Sequence, residues 1–474
     1  MNTSPVYLNG EFIVSPTTLA VVNPATGEPF ARISTVERAR VAQAVADAQS
    51  AFAGWRQQTG KARGEFLEKI AAELEHRREE VGRLITLENG KPLSQSLGEV
   101  AMTLDHLRWF AGEARRAYGR IVPHQVEGKR HLVIKSPMGV VGAISPWNFP
   151  LVLAVRKIAP ALAAGCPVIL KPARQTPLCA VAFAECVAAA GLPKGVFQLV
   201  AGAAPEIAQE FLDNPHCRKI TFTGSTEVGK SLIRSAAAQV KPLSLELGGL
   251  APVLVFADMD LARAVEGSIL AKFRNTGQSC IAANRIYVER SIYAKFLDAF
   301  VERTRALKVG DGLTADVDVG PLVDEEAVTK AVAHVEDAVR NGARLLCGGQ
   351  RIKGKGFFFT PTVLADVPKG ALCFREETFA PVAAISPFES ETEAIELANG
   401  SPFGLSAYAF TKDLGRTFRL MESLEAGIIG INDGLPTATQ APFGGVKQSG
   451  WGRELGIEGM DAFLETKHVS LGIS

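Results

Sequence analysis

The feature that most constrains this chain is a change of pattern near residue 139. From there, short apolar and β-branched runs (PVILK, GVFQLV, KITFTGS) alternate with helix-forming stretches over residues 176–191 and 226–238, and a short helix separates the second run from the third. Parallel strands cannot be joined by tight turns, because each connection must carry the chain back to the starting end of the sheet, and a helix is the usual connector. The alternation therefore predicts βαβ units around a parallel sheet. A second alternating series over residues 251–382 predicts a second α/β unit. The first third reads as mostly helical and is expected to pack on the first unit. Ser34-x-x-Glu37 has the form of a capping box, and Val41, Ala44, Val45, Ala48, Phe52 and Trp55 behind it share one helical face. Phe66, Ile70 and Leu74 repeat that spacing in a second helix, with Gly90 as the expected stop. Residues 120–135 read as an extended polar hairpin and the C-terminal TKHVSLGI as a strand. Exposed edges on such a pair would suit another subunit, so a homo-oligomer, dimer or tetramer, is expected.

Composition narrows the function classes. The 474 residues allow about three structural units, or two with long insertions. Fifty-one basic side chains against fifty acidic ones leave a net charge of +1, too little for a nucleic-acid partner held by bulk electrostatics. Seven cysteines, odd in number and dispersed, do not form a disulfide framework and fit a reducing compartment. The opening residues carry no basic patch followed by an apolar core. The longest apolar run, residues 151–170, contains Arg156, Lys157 and two prolines, so no membrane span is expected. A cytoplasmic protein follows from these readings. The seven histidines are scattered without zinc-like spacing, and no metal is expected.

Three short stretches carry chemistry. Cys280 lies between a polar, glycine-containing loop and the apolar IAANRIYV, where a thiol can face a cleft and attack an electrophilic carbon. Most cysteines are inert small hydrophobes, so the context carries this reading. Glu246 stands in the apolar LSLELGG, where desolvation raises a carboxyl pKa and suits it to proton transfer; the structural alternative is a solvated strand end. Asn148 in PWNFP has its backbone fixed by two prolines. Such a segment is either a plain turn or a rigid N–H donor to the oxygen of a tetrahedral intermediate.

PWNFP, the LELGG glutamate, GQSC, EETFAP and PFGG occur together and in this order. In that order, and in the spacing from Glu246 to Cys280, the chain resembles the aldehyde dehydrogenase superfamily over nearly its whole length, and within it the NADP-dependent succinate-semialdehyde dehydrogenase group. The resemblance implies an α/β fold with a variant Rossmann cofactor domain (residues 1–118 and 139–249), an α/β catalytic domain (250–447) and a small β oligomerisation arm (119–138 and 448–474). It implies Cys280 as nucleophile, Glu246 as general base, and Asn148 with the Cys280 backbone amide as oxyanion donors. The implied reaction is oxidation of an aldehyde to a carboxylic acid through a thiohemiacetal and a thioester. A CoA-acylating relative commonly lacks the glutamate. Ala282 stands where some relatives carry a second cysteine, so no local disulfide switch is expected.

No G-x-G-x-x-G follows a strand here. Residues 223–229, TGSTEVG, read as a helix start capped by Ser225 or Thr226. They resemble the family's variant pyrophosphate site, with Gly224, Ser225 and Gly229 and the helix N-terminus facing the phosphates. By the same resemblance Trp147 lines the cofactor site, Lys171 binds the adenosine ribose, and Glu377 with Phe379 contacts the nicotinamide ribose. Ala380 stands where the family usually has glycine. Arg174, preceded by the small Ala173, replaces a glutamate that commonly grips the ribose hydroxyls of NAD. A guanidinium there can pair with a 2′-phosphate, which predicts preference for NADP with NAD still possible.

Arg156 and Arg274 are similar to the carboxylate-binding arginines of succinate-semialdehyde dehydrogenases. Thr437 matches a position where that group often has serine, and Phe149 and Phe443 would form apolar walls. The expected substrate is succinate semialdehyde. Glutarate semialdehyde, another aliphatic or hydroxy-aldehyde, and a non-catalytic protein of the same fold are the alternatives.

Overall fold

Five parallel strands form the centre of an eight-stranded sheet: Val140–Ile144, Val168–Lys171, Phe197–Leu199, Cys217–Thr223 and Leu243–Glu246. The computed structural model describes residues 2–473. Across the sheet these strands run fifth, fourth, first, second, third, so the winding reverses beside Val140–Ile144. Ligands bind outside the carboxyl ends of such strands at the point of reversal, where the connections diverge and leave a crevice. Residues Val6–Leu8 and Glu11–Ile13 extend one edge, and Gly450–Trp451 pairs antiparallel with Leu243–Glu246 at the other. This last strand lies in a segment the sequence attaches to the arm.

The second sheet has six parallel strands in the order Thr362–Ala365, Val382–Phe388, Ala283–Glu289, Ala251–Val255, Ser406–Phe410, Ile428–Ile431, with Arg344–Cys347 antiparallel at one edge. Its strands send alternate side chains into two cores. Leu254, Tyr287, Leu364 and Ala384 join one; Val253, Val255, Ile286 and Val363 join the other. Burial on both faces explains why these strands read as continuous apolar runs.

The helix Val152–Ala164 is buried on every side, Arg156 and Lys157 included. It is covered by the helices Gly60–His76 and Leu93–Glu113, which share its hydrophobic core. A helix apolar all round is a core helix when it is too short to span a bilayer, and no helix among the described residues is long and apolar enough to do so.

Residues 120–135 do form a hairpin. Arg120–Val122 pairs with Lys129–Pro137, which pairs along its full length with Leu464–Gly472. The outer strands have unpaired edges, and Ile121 on one of them is 77% exposed.

The N-terminal third departs from expectation in three places. Residues 3–34 hold five short strands and no helix, with Thr18–Asn23 and Glu28–Ser34 paired antiparallel. Ser34 is no helix cap: it ends that hairpin, and its hydroxyl accepts from the Ser15 amide at 3.1 Å. The helix starts at Arg38, with Glu37 as N-cap and no side-chain capping bond. The stretch expected to be one helix is two, Gly60–His76 and Arg78–Asn89, broken at Arg77; Gly90, at φ 91°, does stop the second.

Candidate active site

Every residue assigned to chemistry stands at or beyond the carboxyl end of a parallel strand or in the loop that meets it. Asn148 follows Val140–Ile144, Gly224 and Ser225 follow Cys217–Thr223, and Glu246 closes Leu243–Glu246. Cys280 comes from the other side, between the helix Leu261–Phe273 and the strand Ala283–Glu289. The turn before it is unusual. Asn275, Thr276 and Gly277 are successively left-handed, at φ 51°, 60° and 73°. Two non-glycine residues in that region store strain that neighbours must hold. The Asn275 amide donates to Gln95 at 2.8 Å, its side-chain amide donates to the Asn148 carbonyl at 2.8 Å, and Gln278 accepts from the Val323 amide at 2.9 Å. Two glycines let the parts close. A Cβ on Gly277 would lie 2.3 Å from the Ala380 carbonyl oxygen, and one on Gly249 would lie 2.4 Å from that of Cys280.

A buried ion pair absent from the sequence reading fixes Asn148. The Lys91 ammonium meets Glu99 at 2.7 Å, donates to the Asn148 carbonyl at 2.7 Å and sits 3.8 Å over the Phe149 ring. The other Glu99 oxygen accepts from the Leu151 and Val152 amides at 2.9 and 3.2 Å. One carboxylate thus ties the PWNFP turn to the start of the Val152–Ala164 helix. Burial pushes the Lys91 ammonium pKa down, and Glu99 opposes the shift. The Asn148 side-chain amide donates to the Gln278 carbonyl at 3.2 Å, beside Cys280.

Two cavities meet at the Cys280 thiol. The larger, about 370 Å³, is lined by Trp147, Asn148, Thr223, Gly224, Ser225, Leu247, Gly248, Glu377 and Phe379 among others, and the smaller, about 30 Å³, by Phe149, Arg156, Arg274, Thr437 and Phe443 with Met102 and Ile281. Cys280 lines both. Burial, and then the Glu246 and Glu377 carboxylates, push the thiol up to about 12, with Arg156 opposing. Glu246 is buried with neither oxygen hydrogen-bonded among the described residues. Burial, and then Glu454, hold its carboxyl well above the usual range. Glu454 is itself paired with Lys157, which donates to Thr223 at 2.6 Å.

The residues around the larger cavity fit a dinucleotide. Ser225 caps the helix Thr226–Ala236, accepting from the Val228 amide at 3.3 Å, and this end of the helix opens onto the cavity. The Lys171 ammonium is buried with no carboxylate or hydrogen-bond acceptor among the described residues; burial and then Arg174 push it down to about 8. An unpaired cation at a strand end suits hydroxyl or phosphate oxygens. Arg174 is exposed and Ala173 half-buried beside it. Glu377 accepts from the Gly249 amide at 3.2 Å, and burial raises it to about 7. Trp147 meets the Phe379 ring edge-on at 5.4 Å. Lys171, Ala173, Arg174 and Gly229 do not themselves line the cavity, and a Cβ on Gly229 would strike Leu247 at 2.5 Å. The lining also includes Gln175, Val323, Asp324 and Lys330, which no sequence motif marked. No group of three His, Cys, Asp or Glu side chains among the described residues could hold a metal ion.

In the smaller cavity, Arg156 is buried with its Nε unpaired and its guanidinium 4.4 Å over the Phe443 ring. Arg274 lies 4.9 Å over the Phe149 ring, its one side-chain contact of hydrogen-bond type being Met102 Sδ at 3.9 Å. Neither forms an ion pair among the described residues. His106, also missed from sequence, is held well below the usual histidine range by burial and then by Arg156.

Two tests follow from this geometry. Glu99→Gln leaves the Lys91 ammonium buried without its counter-ion and should lower unfolding stability by about 3–5 kcal/mol, read from denaturant titration; an unchanged midpoint would contradict the role given to the pair. Because a raised thiol pKa makes thiolate scarce below it, iodoacetamide labelling of the Cys280 peptide in free enzyme should keep rising with pH to about pH 10, roughly tenfold per unit. Glu246→Gln removes a repelling carboxylate and should move that profile to lower pH. A plateau near neutrality in the parent enzyme would refute the electrostatics described here.

Comparison with known proteins places the chain in a family. The aldehyde dehydrogenase family profile matches residues 13–469. The chain is 47% identical to 3-sulfolactaldehyde dehydrogenase of Pseudomonas putida, covering 96% of this chain and 94% of that one. It is 44% identical to the NADP(+) succinate-semialdehyde dehydrogenase of Escherichia coli, covering 98% and 97%. The solved structure of succinate-semialdehyde dehydrogenase from Burkholderia pseudomallei superposes with a TM-score of 0.98 at 43% identity, covering 99% of this chain and 98% of that one. The chain belongs to the aldehyde dehydrogenase family.

Proposed function

We propose that this enzyme oxidises a short aldehyde bearing a distal carboxylate, succinate semialdehyde, to the dicarboxylate, with NADP as preferred cofactor, acting in the cytoplasm as a homo-oligomer built through its β arm. The observation that carries the substrate is the pair of guanidiniums, Arg156 and Arg274, that line the cavity containing the thiol and have no carboxylate partner among the described residues. A buried cation left unpaired is costly, and an anionic substrate tail supplies the missing charge. Thr437 adds a hydroxyl to the same cavity. The similarity to a 3-sulfolactaldehyde dehydrogenase supports the same principle with a sulfonate as the tail, which is the second reading.

The chemistry follows from the residues at the thiol. Cys280 sulfur bonds to the aldehyde carbon while its proton passes toward Glu246, whose oxygens have no competing partner. Negative charge gathers on the substrate oxygen. The Asn148 side-chain amide and the Cys280 backbone amide are the donors assigned to it, and their fixed positions reduce reorganisation as the charge develops. A nicotinamide bound in the larger cavity supplies the hydride acceptor. The thioester left on Cys280 is then hydrolysed by a water whose proton Glu246 takes, its raised carboxyl pKa making it a stronger base than an ordinary carboxylate.

Arg174 supports the cofactor preference. It is exposed, unpaired among the described residues, and next to the buried Lys171 ammonium, so a 2′-phosphate would meet two cations and no carboxylate. Arg174→Ala should lower kcat/KM for NADP by about tenfold or more and leave that for NAD little changed. A tenfold preference for NAD in the parent enzyme would defeat the assignment.

For the substrate, Arg156→Ala and Arg274→Ala should each raise KM for succinate semialdehyde by roughly 10- to 100-fold with butanal nearly unaffected. Equal losses on the two aldehydes would remove the carboxylate role. Preference for 3-sulfolactaldehyde over succinate semialdehyde in the parent enzyme would favour the second reading.

A further inference from the structure

A recess of about 420 Å³, sharing no lining residue with the two cavities at Cys280, is lined by Arg56, Lys61, Arg63, Arg115 and Lys135, with no acidic side chain on its wall. In a chain with fifty-one basic and fifty acidic side chains, five cations around one acid-free hollow are not a by-product of composition. Lys61 lies 3.4 Å from Glu65 and Lys135 pairs with Asp461, both carboxylates standing outside the wall. Arg56, Arg63 and Arg115 form no ion pair among the described residues.

Arg63 shows that the recess is built. It is only 8% exposed, and its guanidinium lies beside Gly165 and Pro137, where a Cβ on Gly165 would be 3.4 Å away. Its Nε donates to the Ala163 carbonyl at 2.8 Å and its Nη1 to the Gln58 carbonyl at 2.5 Å; Nη2 donates to no protein group among the described residues. The helix Gly60–His76 also begins here. Thr59 satisfies the amides of Ala62 and Arg63, so those of Gly60 and Lys61 remain. Gly60 permits this placement, since a Cβ there would lie 2.1 Å from the Ala114 carbonyl oxygen.

We propose that this recess binds a compact phosphorylated anion, a phosphate ester or diphosphate, at a site separate from both cavities that meet at Cys280. Arg56 and Arg115 offer fork-shaped donor pairs that match phosphate oxygens, Arg63 adds its Nη2, and these three cations have no carboxylate partner among the described residues. The helix start adds its partial positive charge. The remaining wall is glycine, alanine, proline and leucine. With no aromatic ring to stack on a base, the phosphate is the recognised group. The hollow falls within the range of small-molecule sites, about 300–1,000 Å³. Its floor includes Ala164, the last residue of the helix that carries Arg156.

The test is calorimetric titration of the full-length enzyme with sodium pyrophosphate at constant ionic strength, with and without saturating NADP. Saturable binding that persists with NADP is expected. It should weaken about tenfold or more in Arg63→Gln and in Arg56→Ala/Arg115→Ala, whose two exposed side chains can be removed without disturbing the core. No saturable binding, binding abolished by NADP, or equal binding by the double variant overturns the proposal. So does a parent enzyme that binds nothing while the double variant loses its oligomeric state, since the cations would then belong to a subunit contact.

Discussion

The site depends on how closely two sheets approach one another. The Cys280 loop, from the second sheet, must reach the carboxyl end of Leu243–Glu246 in the first, and at Gly249 the space for a Cβ is already taken by the Cys280 carbonyl. This contact puts the thiol at the junction of two cavities, with the buried Glu246 carboxylate near enough to raise its pKa. It also requires a backbone few sequences would adopt: two non-glycine left-handed residues in succession, held by Gln95 and by the carbonyl of Asn148. The same Asn148 is tied through Lys91 to Glu99. Oxyanion donor, nucleophile loop and buried ion pair therefore form one connected assembly, which is how a site keeps sub-ångström geometry while the surrounding loops remain on the surface.

Charge burial is the second theme. Lys91 and Lys157 each have a carboxylate, while Arg156 and Lys171 have none among the described residues. Buried pairs rigidify; buried single charges wait for a ligand. Arg156 and Lys157 are neighbours on one helix and point about 100° apart, the first lining the aldehyde cavity and the second paired with Glu454 and donating to Thr223. The protein thus separates its structural cations from its binding ones by side chain, within a single turn.

Much of this was legible in the sequence because parallel strands leave a strong trace. PVILK, GVFQLV and KITFTGS all became strands of one sheet, in the expected order along the chain. The residues of PWNFP, LELGG and GQSC converge at its carboxyl edge, and both arginines line one cavity with Cys280. The misses have physical causes. Ser34-x-x-Glu37 satisfied a local rule, but Ser34 was claimed by pairing with Thr18. The N-terminal strands are short and alternate with polar residues, so no apolar period marks them. Lys91 and Glu99 are a charged pair in a helical region, which reads as surface until tertiary packing encloses both.

The central claim is that Cys280 is acylated in the course of aldehyde oxidation, and a trapped intermediate tests it most directly. Glu246→Gln, mixed with succinate semialdehyde and NADP, quenched in acid and digested, should show a succinyl adduct on the Cys280 peptide, formed in step with NADPH. NADPH production with that peptide unmodified, or with the adduct on another cysteine, would contradict the account.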